Sequence, residues 1–286
     1  MTLIDGKSFD EERALYGLRD AIVTNCVFAG PMDGESVLKE ASDIKVEDCK
    51  FSLRYPLWHV RKFEMVNSSL DEYTRAPIWY SQDGTIIGCD IDSIKAVREC
   101  KDITLTDCRV KSPEFGWMSE DIKLSGVEIE SEYIFLKSNN VRLDNVNMKG
   151  KYSFQYMNGL HIVDSVLDTK DAFWHSENVI VENSVIKGEY LAWFSKNLTL
   201  INCKIIGTQP FCYCDNLRII NCTMDDTDLA FEYSDVEADV RGHIVSVKNP
   251  KCGTIIADSV GEILFEDAVM ACEGRVVIRE NTDEKV

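Results

Sequence analysis

Three neighbouring stretches of the chain decide the fold: Val179-Ile-Val-Glu-Asn-Ser-Val-Ile186, Leu198-Thr-Leu-Ile-Asn-Cys-Lys-Ile205 and Leu217-Arg-Ile-Ile-Asn-Cys-Thr-Met224. Each stretch begins 19 residues after the one before it. In the same frame, and with two short insertions, earlier units begin at Ala21, Ile44, Phe63, Gly84, Ile103, Ile122, Val141 and Leu160. A fixed period of this length is the signature of a solenoid, in which each repeat is one coil.

Each coil alternates short apolar segments with turn residues. Numbered from its first residue, a coil is apolar or small at positions 1, 3, 6 and 8, and it carries mostly Asn, Asp or Gly at positions 5 and 19. These three residue types tolerate a positive φ and form local hydrogen bonds, so they mark corners. The pattern predicts an all-β, right-handed, single-stranded parallel β-helix of about 12 coils with three parallel sheets.

The repeat also accounts for most of the eleven cysteines. Position 6 is occupied by Cys26, Cys49, Cys89, Cys108, Cys203 and Cys222 in six of the coils. A free thiol in an apolar column behaves as a small hydrophobic residue, so we expect these cysteines to be buried and reduced. No C-x-x-C pair occurs, and the sequence therefore predicts neither a metal site nor a cofactor.

The two ends of a solenoid need covering, because terminal coils expose apolar faces and strand edges. We therefore interpret residues 1–20 as an N-terminal cap, 21–240 as the parallel β-helix, and 241–286 as a C-terminal cap with room for extra coils.

The composition limits the kinds of partner. The formal net charge is −18, which disfavours nucleic acid and mildly disfavours polyanionic sugars. No apolar run is long enough to span a bilayer, and the N-terminus lacks the pattern of a secretory signal. We expect a cytoplasmic protein with no membrane partner.

The third segment of the coil is unusually aromatic. Position 14 holds Leu57, Ile78, Val97, Gly116, Phe135, Phe154, Phe173, Ala192, Phe211 and Ala230. Position 15 holds all five tryptophans, in the series Trp58, Trp79, Arg98, Trp117, Leu136, Gln155, Trp174, Trp193, Cys212 and Phe231. Position 16 holds His59, Tyr80, Glu99, Met118, Lys137, Tyr156, His175, Phe194, Tyr213 and Glu232. Because side chains alternate along a strand, and position 16 includes charges, positions 14 and 16 are expected to face outward and the tryptophans inward. The opposite orientation remains an alternative.

An exposed aromatic face of this size indicates a ligand or partner surface. We predict that an oligosaccharide or polysaccharide binds along it, with the alternative that the face is a homo-oligomer interface of a non-enzymatic scaffold. The predicted ligand-binding residues are Trp58, His59, Trp79, Tyr80, Trp117, Tyr156, Trp174, His175, Trp193, Phe194 and Tyr213.

No complete catalytic signature is present. Glycoside hydrolysis needs two carboxylates, for which Asp225, Asp226 and Glu232 are the candidates. A polysaccharide lyase needs a base and a partner that neutralises a carbonyl, for which Arg98, Glu99, Lys137 and His175 are the candidates.

The repeat unit resembles the pectin-lyase-like group of right-handed parallel β-helices. Several further motifs resemble a bacterial family known only as a domain of unknown function, family 3737. These motifs are Glu12-Arg-Ala-Leu-Tyr-Gly17, Tyr55-Pro-Leu-Trp58, Ala172-Phe-Trp174, Gly188-Glu-Tyr-Leu191, Leu229-Ala-Phe-Glu-Tyr-Ser234, Ser246-Val-Lys-Asn-Pro250 and Ala257-Asp-Ser259. The resemblance covers nearly the whole chain and implies the β-helix fold, but no established activity.

Overall fold

A computed structural model describes residues 1–30 and 34–280, and the chain divides into two compact units, Met1–Gly150 and Lys151–Val286. The described residues form strands, turns and a single 3-10 helix, Glu72–Thr74. Both units have the architecture of a right-handed parallel β-helix with coils of about 19 residues. The predicted fold class is therefore confirmed.

The first unit consists of short strands. They are β1 (Thr2–Asp5), β2 (Ser8–Phe9), β3 (Arg19–Thr24), β4 (Val27–Ala29), β5 (Ser42–Glu47), β6 (Lys50–Ser52), β7 (Leu57–Trp58), β8 (Arg61–Val66), β9 (Ser69–Leu70), β10 (Ile78–Trp79), β11 (Gln82–Ile87), β12 (Asp90–Asp92), β13 (Lys101–Thr106), β14 (Arg109–Lys111), β15 (Glu114–Phe115), β16 (Glu120–Ser125), β17 (Glu128–Ile134), β18 (Asn139–Asp144) and β19 (Asn147–Lys151).

The last residue of β19, Lys151, already belongs to the second unit, which has the same pattern of strands. Its strands are β20 (Asn158–Val163), β21 (Val166–Asp168), β22 (Glu177–Glu182), β23 (Val185–Lys187), β24 (Lys196–Ile201), β25 (Lys204–Ile206), β26 (Leu217–Asp225), β27 (Asp235–Arg241), β28 (His243–Lys248), β29 (Cys252–Ala257), β30 (Ser259–Leu264) and β31 (Arg275–Ile278).

Two sides of each coil are regular parallel sheets. In the first unit, β13 pairs with β16 and β16 with β18, and the register places Ile103 beside Ile122 and Ile122 beside Val141. In the second unit, β22 pairs with β24 in the same way. Coil positions 1 and 3 are buried in these strands, as the apolar period predicts.

The corners and the column of cysteines at position 6 also agree with the predictions made from the sequence. Residues at position 5 have φ near +50°, as at Asn25, Asp107 and Asn202, which confirms the corner prediction. The six cysteines at position 6 are all buried and free, and each thiol donates to a backbone carbonyl, as Cys203 does to Val181 O at 3.4 Å.

The third side of the coil is not a regular sheet. It has only short strands, such as β7 paired with β10, and its backbone is otherwise a series of turns that bond from coil to coil. Positive φ angles recur there at positions 14 and 16. Examples at position 14 are Val97, Phe135, Phe154, Phe173, Ala192 and Phe211, and examples at position 16 are His59, Tyr80, Glu99, Lys137, Tyr156, His175, Phe194 and Tyr213.

This backbone overturns the predicted orientation of the aromatic columns. Residues with positive φ break the strict alternation of a strand, so neighbouring side chains no longer point to opposite faces. Position 14 is buried throughout, for example at Phe154 and Phe173, whereas position 15 is half-buried and position 16 mostly exposed. The prediction of inward tryptophans and an outward position 14 is wrong: the tryptophans lie on the outer surface.

The described residues make about 14 turns rather than 12. One added turn begins with β1, inside the segment expected to cap the N-terminus, where Thr2 pairs with Ala21. Others lie beyond residue 240, where β29 pairs with β27 and β31 pairs with β29. Residues 281–286 of the expected C-terminal cap lie outside the described residues.

The last aromatic coil is shifted by one residue. Phe231 stacks on Phe211 at 5.8 Å, and Tyr233 lies against Tyr213 at 5.3 Å, so both spacings are 20 residues rather than 19. Glu232 therefore belongs to the column of position 15, not to that of position 16.

Candidate functional site

The turn around Glu72–Thr74 lies at the surface of the first unit. Its coil is two residues longer than the standard repeat, and it contains the 3-10 helix Glu72–Thr74 between β9 and β10. Asp71 caps this helix by accepting from Tyr73 N at 3.0 Å. Thr74 is buried, and its hydroxyl donates a hydrogen bond to Ser93 Oγ at 3.0 Å, which holds the helix against the coil. With Thr74 held inside, Glu72, Tyr73 and Arg75 are left exposed on the outer side.

Three cavities surround this turn. The first has a volume of about 450 Å³ and is lined by Arg54, Tyr73 and Arg75 among others. The second, of about 370 Å³, and the third, of about 270 Å³, lie around Ile94, which lines both. Glu72 lines the first and second cavities, and Arg75 lines the first and third. The three cavities therefore adjoin, and together we call them the cleft.

The third cavity is basic and aromatic. Its lining consists of Tyr55, Arg75, Ala76, Trp79, Ile94, Lys95 and Arg98. Lys95 and Arg98 share one carboxylate, Glu114, each at 3.5 Å, and the Arg98 guanidinium lies 5.3 Å above the Trp117 ring. The exposed Arg75 has no ion-pair partner among the described residues. An anionic group is the ligand that this lining favours.

Glu99 holds the aromatic wall of the third cavity in place. Its carboxylate accepts from Trp79 Nε1 at 3.4 Å and lies 3.4 Å from Arg98 Nε. Its hydrogen bond with Tyr80 raises the pKa of that phenol above the usual range. Because Glu99 is engaged by three neighbours, its carboxylate positions the wall of the cavity rather than facing an open site.

Both faces of the Trp58 indole in the first unit are covered. Trp58 lies between the Lys39 ammonium, 4.0 Å from its ring centroid, and the Trp79 ring, stacked at 5.5 Å. His59, beside Trp58, pairs with Glu40 at 3.2 Å. A ring with both faces occupied cannot stack on a sugar, so Trp58 supports its neighbours rather than forming a platform.

The candidate lyase residues of this unit do not converge on one point. Glu99, Met118 and Lys137 follow one another in successive coils, so Lys137 lies about 10 Å along the stack from Glu99 at roughly 4.8 Å per coil. Arg98 is engaged by Glu99 and Glu114 as described.

The residue that sequence reasoning missed is Tyr73. Its side chain is 63% exposed, it lines the first cavity, and it has no ring-stacking partner among the described residues. It is therefore an open aromatic platform beside the cleft. The only signal in the sequence was the 21-residue spacing between Phe63 and Gly84, which marks an insertion but not its direction.

The second unit carries an aromatic ridge, formed by Tyr156, His175, Phe194, Tyr213 and Tyr233. Centroid distances along its first four rings are 5.0, 5.0 and 4.7 Å, with interplanar angles of 10° or less. Rings stacked in this way cover one another's faces and present their edges to solvent. Tyr156 and Phe194 are nevertheless 52% and 40% exposed.

The tryptophans beside the ridge are fixed by hydrogen bonds. Trp174 and Trp193 stack at 5.4 Å with an interplanar angle of 3°. Trp174 Nε1 donates to Tyr190 O at 2.7 Å, and Trp193 Nε1 donates to Gln209 O at 2.9 Å. Each indole thus ties its own coil to the next, which is a structural role.

Two of the acidic candidates of the second unit, Asp225 and Glu232, have separate partners. Asp225 pairs with Lys204 at 2.8 Å, whereas Glu232 pairs with Lys248 at 3.1 Å. That bond to Glu232 raises the pKa of Lys248. Burial, followed by the Glu232 charge, raises the pKa of Tyr213. Asp226 is exposed in a turn with φ of 54°.

Within residues 1–30 and 34–280, no group of three or more His, Cys, Asp or Glu side chains is arranged to hold a metal ion. The same residues include no helix with the length and apolar character needed to cross a membrane.

Several solved structures resemble the chain at low identity. A double mutant of the periplasmic alginate epimerase AlgG is 12% identical, with 92% of this chain and 78% of that chain covered and a TM-score of 0.35. The A-module of the Azotobacter vinelandii mannuronan C-5 epimerase AlgE4 is 7% identical, with coverages of 96% and 89% and a TM-score of 0.33. The catalytic domain of a GH87 alpha-1,3-glucanase in complex with nigerose is 10% identical, with coverages of 96% and 63% and a TM-score of 0.31.

No curated protein sequence matches the chain. A family model described as "Protein of unknown function (DUF3737)" matches residues 2–278. This match confirms the resemblance seen in the sequence motifs, and the chain belongs to the DUF3737 family.

Proposed function

We propose that this protein binds a carbohydrate chain in the cleft of the first unit. The observation that carries the proposal is the set of three adjoining cavities around the Glu72–Thr74 turn. Their volumes are near the lower end of the usual range for small-molecule sites, roughly 300 Å³ upward, and their adjacency suits an oligomeric ligand.

The lining of the cleft has the chemistry that a sugar needs. Tyr73 offers an open ring on which a pyranose can stack. Arg54 lines the first cavity and Lys111 the second, and both can donate hydrogen bonds to hydroxyl groups. Two of the three candidate catalytic acids, Asp225 and Glu232, are engaged in ion pairs in the second unit, so the proposal for the cleft is one of binding rather than cleavage.

The test is a glycan array probed with the full chain, followed by titration calorimetry on the best binder. Tyr73→Ala should weaken binding about tenfold, because it removes an exposed stacking surface of a size that commonly contributes about 1.4 kcal/mol. Tyr156→Ala is the control: it truncates a tyrosine in the other unit that is also more than half exposed, and it should leave the affinity unchanged. Absence of binding across the array, or equal losses in both variants, would refute the proposal.

The aromatic ridge supports a second candidate, which is self-association of the second unit. Its exposed edges at Tyr156 and Phe194 form an apolar strip on the surface. Sedimentation of the wild-type chain and of Phe194→Asp tests it. A dimer that dissociates in the variant supports an interface, and a wild-type monomer at high concentration excludes one.

A further inference from the structure

The second and third cavities of the cleft are lined by side chains of opposite charge. The third cavity is lined by three cations, Arg75, Lys95 and Arg98, and by no carboxylate. The second cavity is lined by one cation, Lys111, and by four carboxylates, namely Glu72, Asp92, Glu130 and Glu132. Basic and acidic cavities therefore adjoin within one cleft, and Ile94 lies at their common wall.

Internal ion pairs do not cancel this division. In the second cavity, Lys111 is paired with Asp92 at 3.5 Å. Glu72, Glu130 and Glu132 are exposed and have no ion-pair partner among the described residues. This cavity keeps an excess of negative charge.

The third cavity keeps an excess of positive charge. Glu114 neutralises part of the charge on Lys95 and Arg98, which both approach it at 3.5 Å, and Glu99 lies 3.4 Å from Arg98 Nε. Arg75 remains exposed at the mouth, where it lines the first cavity as well. A ligand with an anionic group can pair with Arg75 there without displacing any internal ion pair.

We infer that the cleft selects an oligosaccharide with a single anionic sugar, carboxylated or sulfated, in the third cavity and an uncharged or amino sugar in the second. The inference rests on the proposed function. A chain in which every sugar is acidic would gain one favourable contact at Arg75 and meet repulsion at Glu72, Glu130 and Glu132. Repulsive contacts of this kind are a usual source of specificity.

The experiment uses a glycan array grouped by the number of acidic sugars: none, one, or all. The groups with one acidic sugar include carboxylated and sulfated members, which distinguishes the two kinds of anion. The full chain is compared with Arg75→Gln, with the double variant Glu130→Gln and Glu132→Gln, and with Arg61→Gln as the control. Arg61 is an exposed arginine on β8 that lines none of the three cavities.

The strongest binders should carry one acidic sugar. Arg75→Gln should weaken them about tenfold or more, as expected for the loss of a charge-assisted hydrogen bond, and should change neutral glycans less than twofold. The double glutamine variant should increase binding of the fully acidic group. Arg61→Gln should match the wild-type chain.

The failures of the two proposals are distinguishable. If no group binds, the proposed function fails. The proposed function stands if glycans bind the wild-type chain and bind Tyr73→Ala more weakly. If, in that case, the fully acidic or the neutral group binds best, the charge-based selection is refuted. Equal effects of Arg75→Gln on acidic and neutral glycans would also refute it.

Discussion

Replacement of Phe173 by alanine tests directly whether the side chains at position 14 point into the core. Phe173 occupies position 14, is 2% exposed, and stacks on Phe154 at 5.2 Å. A buried phenylalanine removes roughly 150 Å² or more from water, which at about 25 cal/mol per Å² corresponds to about 4 kcal/mol. Measured losses for this substitution in protein cores are about 3–5 kcal/mol, so we expect a loss of about 4 kcal/mol in the free energy of unfolding.

The control is Phe194→Ala, at position 16 in the next coil of the same unit. Phe194 is 40% exposed and lies between His175 and Tyr213, so its truncation should cost about 2 kcal/mol. Urea titrations followed by circular dichroism give both values, provided that the slopes agree with that of the wild-type chain. If Phe194→Ala proved as costly as Phe173→Ala, or more so, position 14 would face outward and the described orientation would be wrong.

Three further predictions concern the scaffold. Gly207→Ala should destabilise the chain by more than about 3 kcal/mol, because the new Cβ would lie 2.1 Å from a backbone oxygen. Gly17→Ala, where the Cβ would meet open space, should cost about 1 kcal/mol. Thermal unfolding of the two variants compares these losses. A thiol reagent at pH 8 should react quickly with only Cys252 and Cys272, since the other nine cysteines are buried, and rapid reaction of more than about four thiols would contradict this. Burial raises the pKa of the Cys100 thiol to about 12, so this thiol stays protonated in the folded chain, whereas in the unfolded chain it ionises above about pH 8.5. The free energy of unfolding should therefore fall between pH 9 and pH 10.5, by up to about 1.4 kcal/mol per pH unit. Cys100→Ala should reduce that slope.

Two of the three sides of the coil could be predicted from the sequence. Their strands obey simple alternation, and their corners carry Asn, Asp or Gly, whose positive φ is expected from residue type. The cysteine column followed from the same frame, because a position next to a corner and inside the stack admits only small side chains.

The third side could not be predicted because its backbone is atypical for its residues. Phe173 and His175 have φ of 63° and 54°, in a region that bulky residues seldom adopt. Nothing in their residue type indicates it, and the inference from strand alternation therefore assigned the wrong face. The bonds between coils at these positions, such as Phe173 N to Ser153 O at 2.8 Å, are what hold this backbone in place.

The cleft depends on an insertion whose path the sequence does not reveal. The sequence predicts Trp79 as a ligand-binding residue and Arg98 as a lyase candidate, but it does not indicate Tyr73 or Arg75, because they lie outside the repeat frame. The cytoplasmic location, the lack of nucleic-acid partners and the oligomeric state stay predictions.

Hydroxyl-radical footprinting with the best-binding glycan tests the central claim most directly, because it reports every exposed aromatic side chain in a single experiment. We predict that the glycan protects Tyr73 and Trp79 in the first unit and leaves Tyr156 and Phe194 in the second unit unchanged. Protection of Tyr156 and Phe194 without protection of Tyr73 would place the ligand on the ridge and contradict the account.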